Sequence, residues 1–419
     1  MKLGSSQISS CRLCGEKTFH DILDLGEQYF TGRFIKPNEN DPPEARLAIC
    51  ICDSCSLVQL KDSYPAAEMY GINYGYRSSI TNTMREHLKQ ICNHAVSYCK
   101  FGTKAKVLDI GSNDGTLLNF FADSCSDLTG IDPCAEKHLE NYNKKINVIT
   151  NYFSAENLKL DSKEARFDII TSIAMFYDID SPVEFAKQIR SVLSVDGIWI
   201  TEQTHSHTLL DSNCYDSICH EHVSYLSLNA MELICEQAGL KILNVSTNDI
   251  NGGSFRLTIS RNDSSYTPDF KSIQQFKAKE ENLNLRDMKT WSAFNNDVLE
   301  HKKSLEHYLN DEAQKGKKIL GYGASTKGNV LLQFCNISIE IMPFILERDP
   351  RKYGLVTPGT RIPIISEQEG RDLKPDILVV FPWHFKDEII KRENDFLVNG
   401  GTLVFPLPEL KVITKKSLT

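Results

Sequence analysis

The chain has 419 residues and a formal net charge of −8; that is more length than one hydrophobic core usually supports, so two or three domains are expected. The acidic balance excludes nucleic acid as the main partner, and with 24% charged residues no apolar run reaches the length of a membrane span. Met1–Ser6 has no apolar signal-peptide core, so the expected location is cytoplasmic; 13 cysteines there imply metal ligands and buried thiols rather than disulfides.

In chain order, Cys11-Arg12-Leu13-Cys14 comes first and Cys52-Asp53-Ser54-Cys55 follows. Each pair wraps a tight turn around one edge of a metal, and together they supply the four thiolates of a tetrahedral zinc site. Cys50 competes as a ligand but forms no two-residue knuckle with Cys52. Four sulfurs leave no open position, so the metal is structural. Residues 1–68 then read as a zinc-stapled domain whose own core is too thin to stand without it. Next, Met69–Ser79 interleaves tyrosines with glycines before a helical pattern from Ile80 to about Cys99. This stretch either covers a site from above or packs its tyrosines between domains.

Residues 69–248 read as a nucleotide-binding α/β domain. Val107–Ile110 is an apolar strand that stops at Gly111, and Leu128–Ile131 is a second one that ends in Asp132. A glycine at a strand end lets a ligand approach the backbone, and Asp132 is positioned for both hydroxyls of a ribose. The turn has Gly111 and Gly115 but not the three glycines that a dinucleotide fingerprint needs. Its acids, Asp109 and Asp114, repel a pyrophosphate and suit the cationic S-adenosylmethionine. Asn147–Thr150 and Phe167–Ser172 continue the sheet with a helix between each pair of strands. Ala186–Leu193 is the next helix, closed by Asp196-Gly197 before the strand Ile198–Glu202. Asn151, Ser172 to Phe176 and Glu202-Gln203 are therefore wall candidates. The residues assigned to S-adenosylmethionine are Asp109, Gly111, Asn113, Asp114, Gly115, Asp132 and Ser172.

Tyr215 to Tyr225 contains His220-Glu221-His222, an imidazole beside a carboxylate, which is what proton abstraction uses. A surface loop with satisfied histidines is the bland alternative. A second metal site from His205, His207, His220 and His222 lacks an acidic ligand at useful spacing. Residues 249–315 read as a strand and helical connector. Residues 316–419 form a smaller Rossmann-like unit whose turn, Gly321-Tyr322-Gly323-Ala324-Ser325-Thr326-Lys327, either binds a phosphate or only packs. Ile341–Leu346, Asp376–Phe381 and Gly401–Phe405 are its further strands.

Taken together, the cysteine knuckles, Tyr74–Ser79, Ile110–Leu118, His220-Glu221-His222 with Tyr225, Gly252-Gly253-Ser254, Gly321–Ala324 with Lys327-Gly328-Asn329, and Pro382-Trp383 resemble the sugar C-methyltransferase family. The resemblance covers nearly the whole chain. It implies an α/β fold of three parts: a zinc domain, a central S-adenosylmethionine domain and a C-terminal Rossmann-like domain. The acceptor it implies is a nucleotide-linked 4-keto-6-deoxy sugar, handled by a monomer or homo-oligomer with no membrane or nucleic-acid partner. By the family pattern His222 is the base, Glu221 orients it or contacts the sugar, and Tyr76 approaches the sugar or its enolate oxygen. Tyr225, Asp178, Cys219, Asn251 and Lys327 are the acceptor contacts. The pattern departs at Cys219, where a tyrosine is common, and at Asp178 and Asn251, where histidines are common. O- or N-methylation of a sugar, a non-catalytic sugar-nucleotide-binding protein, and a nicotinamide enzyme with Glu347 on the ribose are the alternatives.

Overall fold

The computed structural model describes residues 6–70, 76–158 and 166–418. Gly71–Gly75, and with them Tyr74, lie outside the described residues. Three main sheets organise the chain. The first begins with β1 (Phe19–Tyr29), β2 (Glu44–Cys52) and β3 (Val58–Leu60), paired antiparallel.

Helix α1 (Asn82–Tyr98) starts where Thr81 accepts a hydrogen bond from the Met84 backbone. It buries Met84, His87, Leu88, Ile91, Cys92 and Ala95, a spacing of three and four that gives one apolar face. The central sheet follows with β4 (Lys106–Ile110), α2 (Thr116–Phe121), β5 (Asp127–Ile131), β6 (Ile146–Ile149), β7 (Phe167–Ile173), α3 (Pro182–Val192) and β8 (Leu193–Thr204). The strands predicted here form. The crossover from β5 to β6 differs: it holds a 3-10 stretch, Ala135–Asn141, where an α-helix was expected. Asp196-Gly197 also does not precede the strand but lies inside it, at a register shift between Leu193 and Ile198.

The two-residue strand β9 (Ser224–Tyr225) leaves this unit and pairs antiparallel with β3, completing the first sheet in the order β9-β3-β2-β1. The chain then returns through α4 (Leu228–Ala238), β10 (Leu240–Asn248) and β11 (Ser254–Arg261). The central sheet has the order β10-β11-β8-β7-β4-β5-β6, with β11 antiparallel to its neighbours. The strand of segment 249–315 thus belongs to this sheet, while α5 (Phe270–Asn282) and α6 (Met288–Gln314) carry the chain onward.

The third sheet comprises β12 (Ile319–Tyr322), α7 (Thr326–Phe334), β13 (Ile345–Glu347), β14 (Ile364–Ser366), β15 (Ile377–Val380), β16 (Thr402–Phe405) and β17 (Lys411–Ile413). Its order is β14-β13-β12-β15-β16-β17, parallel except at β17. Strand β13 starts later than predicted because Pro343 has no backbone donor for a ladder. One apolar cluster joins Leu47 and Ile49 of the first sheet, Tyr215 and Ile218 of the histidine loop, and Val330 and Val379 of the last unit. A second joins Cys11, Cys52 and Cys55 to the central sheet. The zinc-bearing unit is therefore packed between the other two.

Candidate functional site

The four thiols of Cys11, Cys14, Cys52 and Cys55 lie within 4.8 Å of one another. The Cys11–Cys55 and Cys14–Cys52 sulfur pairs are 3.5 Å apart, close to the roughly 3.8 Å edge of a tetrahedron with Zn–S bonds of about 2.3 Å. The donor set fits zinc. No other cluster of metal-ligand spacing occurs among the described residues, and the histidines do not form one. His205 Nε2 meets Glu280, and His220 Nε2 donates to the Ala45 carbonyl from a nest of Phe30 and Tyr64.

In both parallel sheets the chain reverses direction beside the first strand, at β4/β7 and at β12/β15, and such a switch point opens a crevice at the carboxyl ends. The first crevice is a cavity of about 190 Å3 lined by Asp109, Gly111, Asn113, Asp132, Met175 and Glu202, among others. Gly111 has φ +74 and a Cβ there would sit 3.1 Å from the Met175 side chain, so only glycine keeps this turn open. Asp132 accepts from the backbone N–H of Asn113 at 2.8 Å and of Cys134 at 2.5 Å, which locks the loops after β4 and β5 together. Burial pushes the Asp109 carboxyl up to about 7, against a 2.6 Å bond from Thr171.

Three residues assigned to the cofactor do not reach this wall. Asp114 is occupied holding the Ser79 and Thr116 backbone N–H groups and the Arg77 guanidinium. Gly115 packs on Tyr142, whose ring a Cβ would meet at 2.7 Å. Ser172 accepts from the Trp199 indole at 2.9 Å. Each supports the turn from behind. Glu202 does line the cavity, held by His87 at 2.5 Å and Arg256 at 2.7 Å, partners that lie far from it in sequence.

The second crevice is larger, about 350 Å3. It is lined on one side by Cys219, Glu221 and His222 and on the other by Gly323–Lys327 and Glu347–Asp349. Tyr76, Ala174, Asp178 and Asn251 line both cavities, so the two spaces share a wall. Tyr76 is 44% exposed, and its carbonyl accepts from Asn113. His222 Nδ1 donates to the Ser217 carbonyl at 2.8 Å, which leaves Nε2 as the unprotonated nitrogen of the neutral ring. Burial pushes this imidazole down to about 4, so it is neutral at pH 7. The Tyr177 ring packs against it at 4.2 Å between centroids.

Lys327 lines the second cavity and donates to the Asn251 carbonyl at 2.6 Å, tying the last unit to a loop of the central one. Tyr225 is buried in β9 beside Cys219 and off the wall. Glu347 is engaged by the Ala324 and Asp349 backbone N–H groups and by Lys352. Arg348, Lys352 and Arg392 on this wall were not picked out from the sequence. The available signal for the first two was their position just past a strand in a doubly wound sheet.

The strand order, the open Gly111 turn and the acid after the second strand define a class I S-adenosylmethionine-dependent methyltransferase. Residues 84–245 match the family of that methyltransferase domain, residues 11–70 a zinc-binding domain family, and residues 249–408 the C-methyltransferase C-terminal domain. The chain carries these three domains in this order and is an S-adenosylmethionine-dependent methyltransferase; its cofactors are S-adenosylmethionine and a structural zinc ion. It is similar to C-methyltransferase NovU of Streptomyces niveus, with 26% identity over 415 residues and 98% of each chain covered. Among solved structures, it is similar to the methyltransferase in complex with the Haloferax volcanii Trm112 activator, at 12% identity and TM-score 0.35, covering 45% of this chain and 100% of that one. The plantazolicin methyltransferase BpumL bound to SAH shows 17% identity and TM-score 0.33, covering 43% and 86%.

Proposed function

We propose that the enzyme methylates a carbon next to the ketone of a nucleotide-linked 4-keto-6-deoxy sugar. The observation that carries this reading is the shared wall: a cavity bounded by the β4 turn meets, at Tyr76, Asp178 and Asn251, a cavity that holds a neutral histidine and a Gly-rich turn with a lysine. The sugar sits at that wall, and its nucleotide extends along Gly323–Lys327, where Lys327 and the Ser325 and Thr326 hydroxyls suit a diphosphate. This pose also accounts for Arg348, which has no ion pair among the described residues.

In this reading His222 Nε2 takes the proton from the carbon beside the ketone. The Ser217 carbonyl holds the opposite nitrogen in its N–H form, so the ring offers a lone pair and not a proton. Glu221 and Tyr76 contact the sugar, and the packed Tyr177 ring fixes the imidazole plane. S-adenosylmethionine, when bound, supplies an electrophilic methyl on a sulfonium, toward which the carbon acts as nucleophile. The protein's share is positioning and proton transfer.

The test is mass spectrometry of the purified enzyme with S-adenosylmethionine and a panel of 4-keto-6-deoxy sugar nucleotides deuterated at both C-3 and C-5. A product heavier by one methyl that has lost the deuterium at one of these carbons supports the reading. A methylated product that keeps both deuterium atoms sinks it in favour of O- or N-transfer.

A further inference from the structure

Asp178 lies in a 3-10 turn after β7, on the wall common to both cavities. Its Oδ1 is buried with no hydrogen-bond partner, and so is Oε2 of Glu221 across the same space. Among the described residues no Lys, Arg or His nitrogen comes within 4.0 Å of either carboxyl, whereas most other buried acids of the site are held: Asp114 by Arg77, Glu202 by His87 and Arg256. The ionisable groups nearest Asp178 come from three segments. Tyr70 and Tyr76 precede α1, Tyr177 is on the same turn, and Cys219, Glu221, His222 and Tyr225 come from the histidine loop. Lys327 lies across the second cavity with its ammonium on the Asn251 carbonyl, and Glu202 and Asp109 lie in the first. None of these is a cation placed on Asp178.

The Tyr70 hydroxyl donates to the Asp178 carboxyl, and the Gly32 N–H and Cys219 thiol to Glu221, but neither carboxyl has a cation; two such acids in one dry space do not both ionise, because each charge loses its water and meets the other. Burial and Glu221 accordingly hold the Asp178 carboxyl well above the ordinary carboxylate range. A buried carboxylic acid kept neutral at pH 7 is a hydrogen-bond donor, and an enolate oxygen is what such a donor stabilises. Resting on the carbon-methylation reading above, we infer that Asp178 is a catalytic acid: its protonated carboxyl, facing the shared wall, donates to the ketone oxygen of the acceptor.

The step balances as follows. His222 takes the proton as the C–H bond breaks, and that electron pair moves to the ketone oxygen, where the Asp178 proton meets the developing charge. As the enolate carbon would form the new C–C bond with the methyl of bound S-adenosylmethionine, the methyl–sulfur bond would break and its electron pair leave on the thioether of S-adenosylhomocysteine, while the C=O bond is restored and the proton stays with Asp178. His222 then releases its proton to solvent.

The experiment compares wild type, Asp178→Asn and Asp178→Ala with an accepted keto sugar between pH 6 and 9.5, with S-adenosylmethionine affinity measured by calorimetry as the control for folding. Asp178→Asn keeps an N–H donor and is expected to stay within about tenfold of wild-type kcat. Asp178→Ala is expected to fall by roughly a hundredfold or more, the usual weight of a positioned acid. Wild-type turnover declines on the alkaline side as Asp178 ionises, and that decline is absent in Asp178→Asn. Equal loss in Asn and Ala variants that both bind S-adenosylmethionine overturns the proposal, as does an alkaline decline that persists in Asp178→Asn. A wild type that transfers methyl only to oxygen or nitrogen sinks the underlying reading instead, and is seen before any variant is made.

Discussion

The two Rossmann-like units share an architecture and differ in charge at the same place. Each opens a crevice beside its first strand, and each carries a glycine of positive φ there, Gly111 and Gly323. The first cavity wall holds Asp109, Asp132, Asp178 and Glu202 and no Lys or Arg. The second wall also has acids, Asp178, Glu221, Glu347, Asp349, Glu367 and Glu388, but sets against them Arg77, Lys327, Arg348, Lys352 and Arg392, with Lys327 following its glycine turn. The fold thus provides the hole and the side chains choose the guest: an acid-lined turn suits a sulfonium with an amino-acid tail, and a lysine-bearing one suits an anion.

The comparison breaks most completely if the units cannot face each other. Cys52→Ser removes one thiolate from a folding-coupled metal site and is expected to give zinc-free, aggregated protein; soluble variant with full zinc content, measured by metal analysis, would contradict this. Next in size, His222→Ala is expected to lose about a hundredfold or more in turnover while S-adenosylmethionine affinity stays near wild type. Wild-type-like turnover in that variant removes His222 from the role of base.

Smaller effects separate the two crevices. Asp132→Ala leaves the Asn113 and Cys134 N–H groups without their acceptor, a loss of about 1–3 kcal/mol. Titration should show S-adenosylmethionine binding weakened by about tenfold or more, with acceptor KM little changed. Lys327→Ala should do the reverse, raising acceptor KM several-fold in a salt-dependent way. If both substitutions moved both constants alike, the two crevices would be one site. The smallest effect is in acid. A base works unprotonated, so activity falls as pH drops through its pKa; with His222 pushed down to about 4, turnover should hold between pH 7 and 5.5, where an ordinary histidine would be losing it. A decline centred near 6.5, with zinc still bound, would be the contrary result.

Much of this was legible where the signal is local. The cysteine knuckles, the apolar strands ending in glycine or acid, and the His-Glu-His segment each show their chemistry within a dozen residues. What was not legible depends on distant pairing. A two-residue strand such as β9 has no periodicity, so nothing in Ser224-Tyr225 announces that it pairs with Gln59 and Val58. The support roles of Asp114, Gly115 and Ser172 emerged only with Ser79, Tyr142 and Trp199 beside them. Likewise Asp178 and Glu221 are 43 positions apart, and their shared isolation from cations exists only once the wall is assembled.

The pairing of β9 with β3 has a consequence for how the protein is made and remade. Residues 11–70 leave the ribosome long before residues 224–225, so the zinc-bearing sheet waits with an open edge at β3 until most of the central unit has been synthesised. For the same reason this unit is not a detachable cassette. A chimera that exchanges the first seventy residues between relatives must bring the histidine loop with it, because the strand that closes the sheet follows directly on that loop.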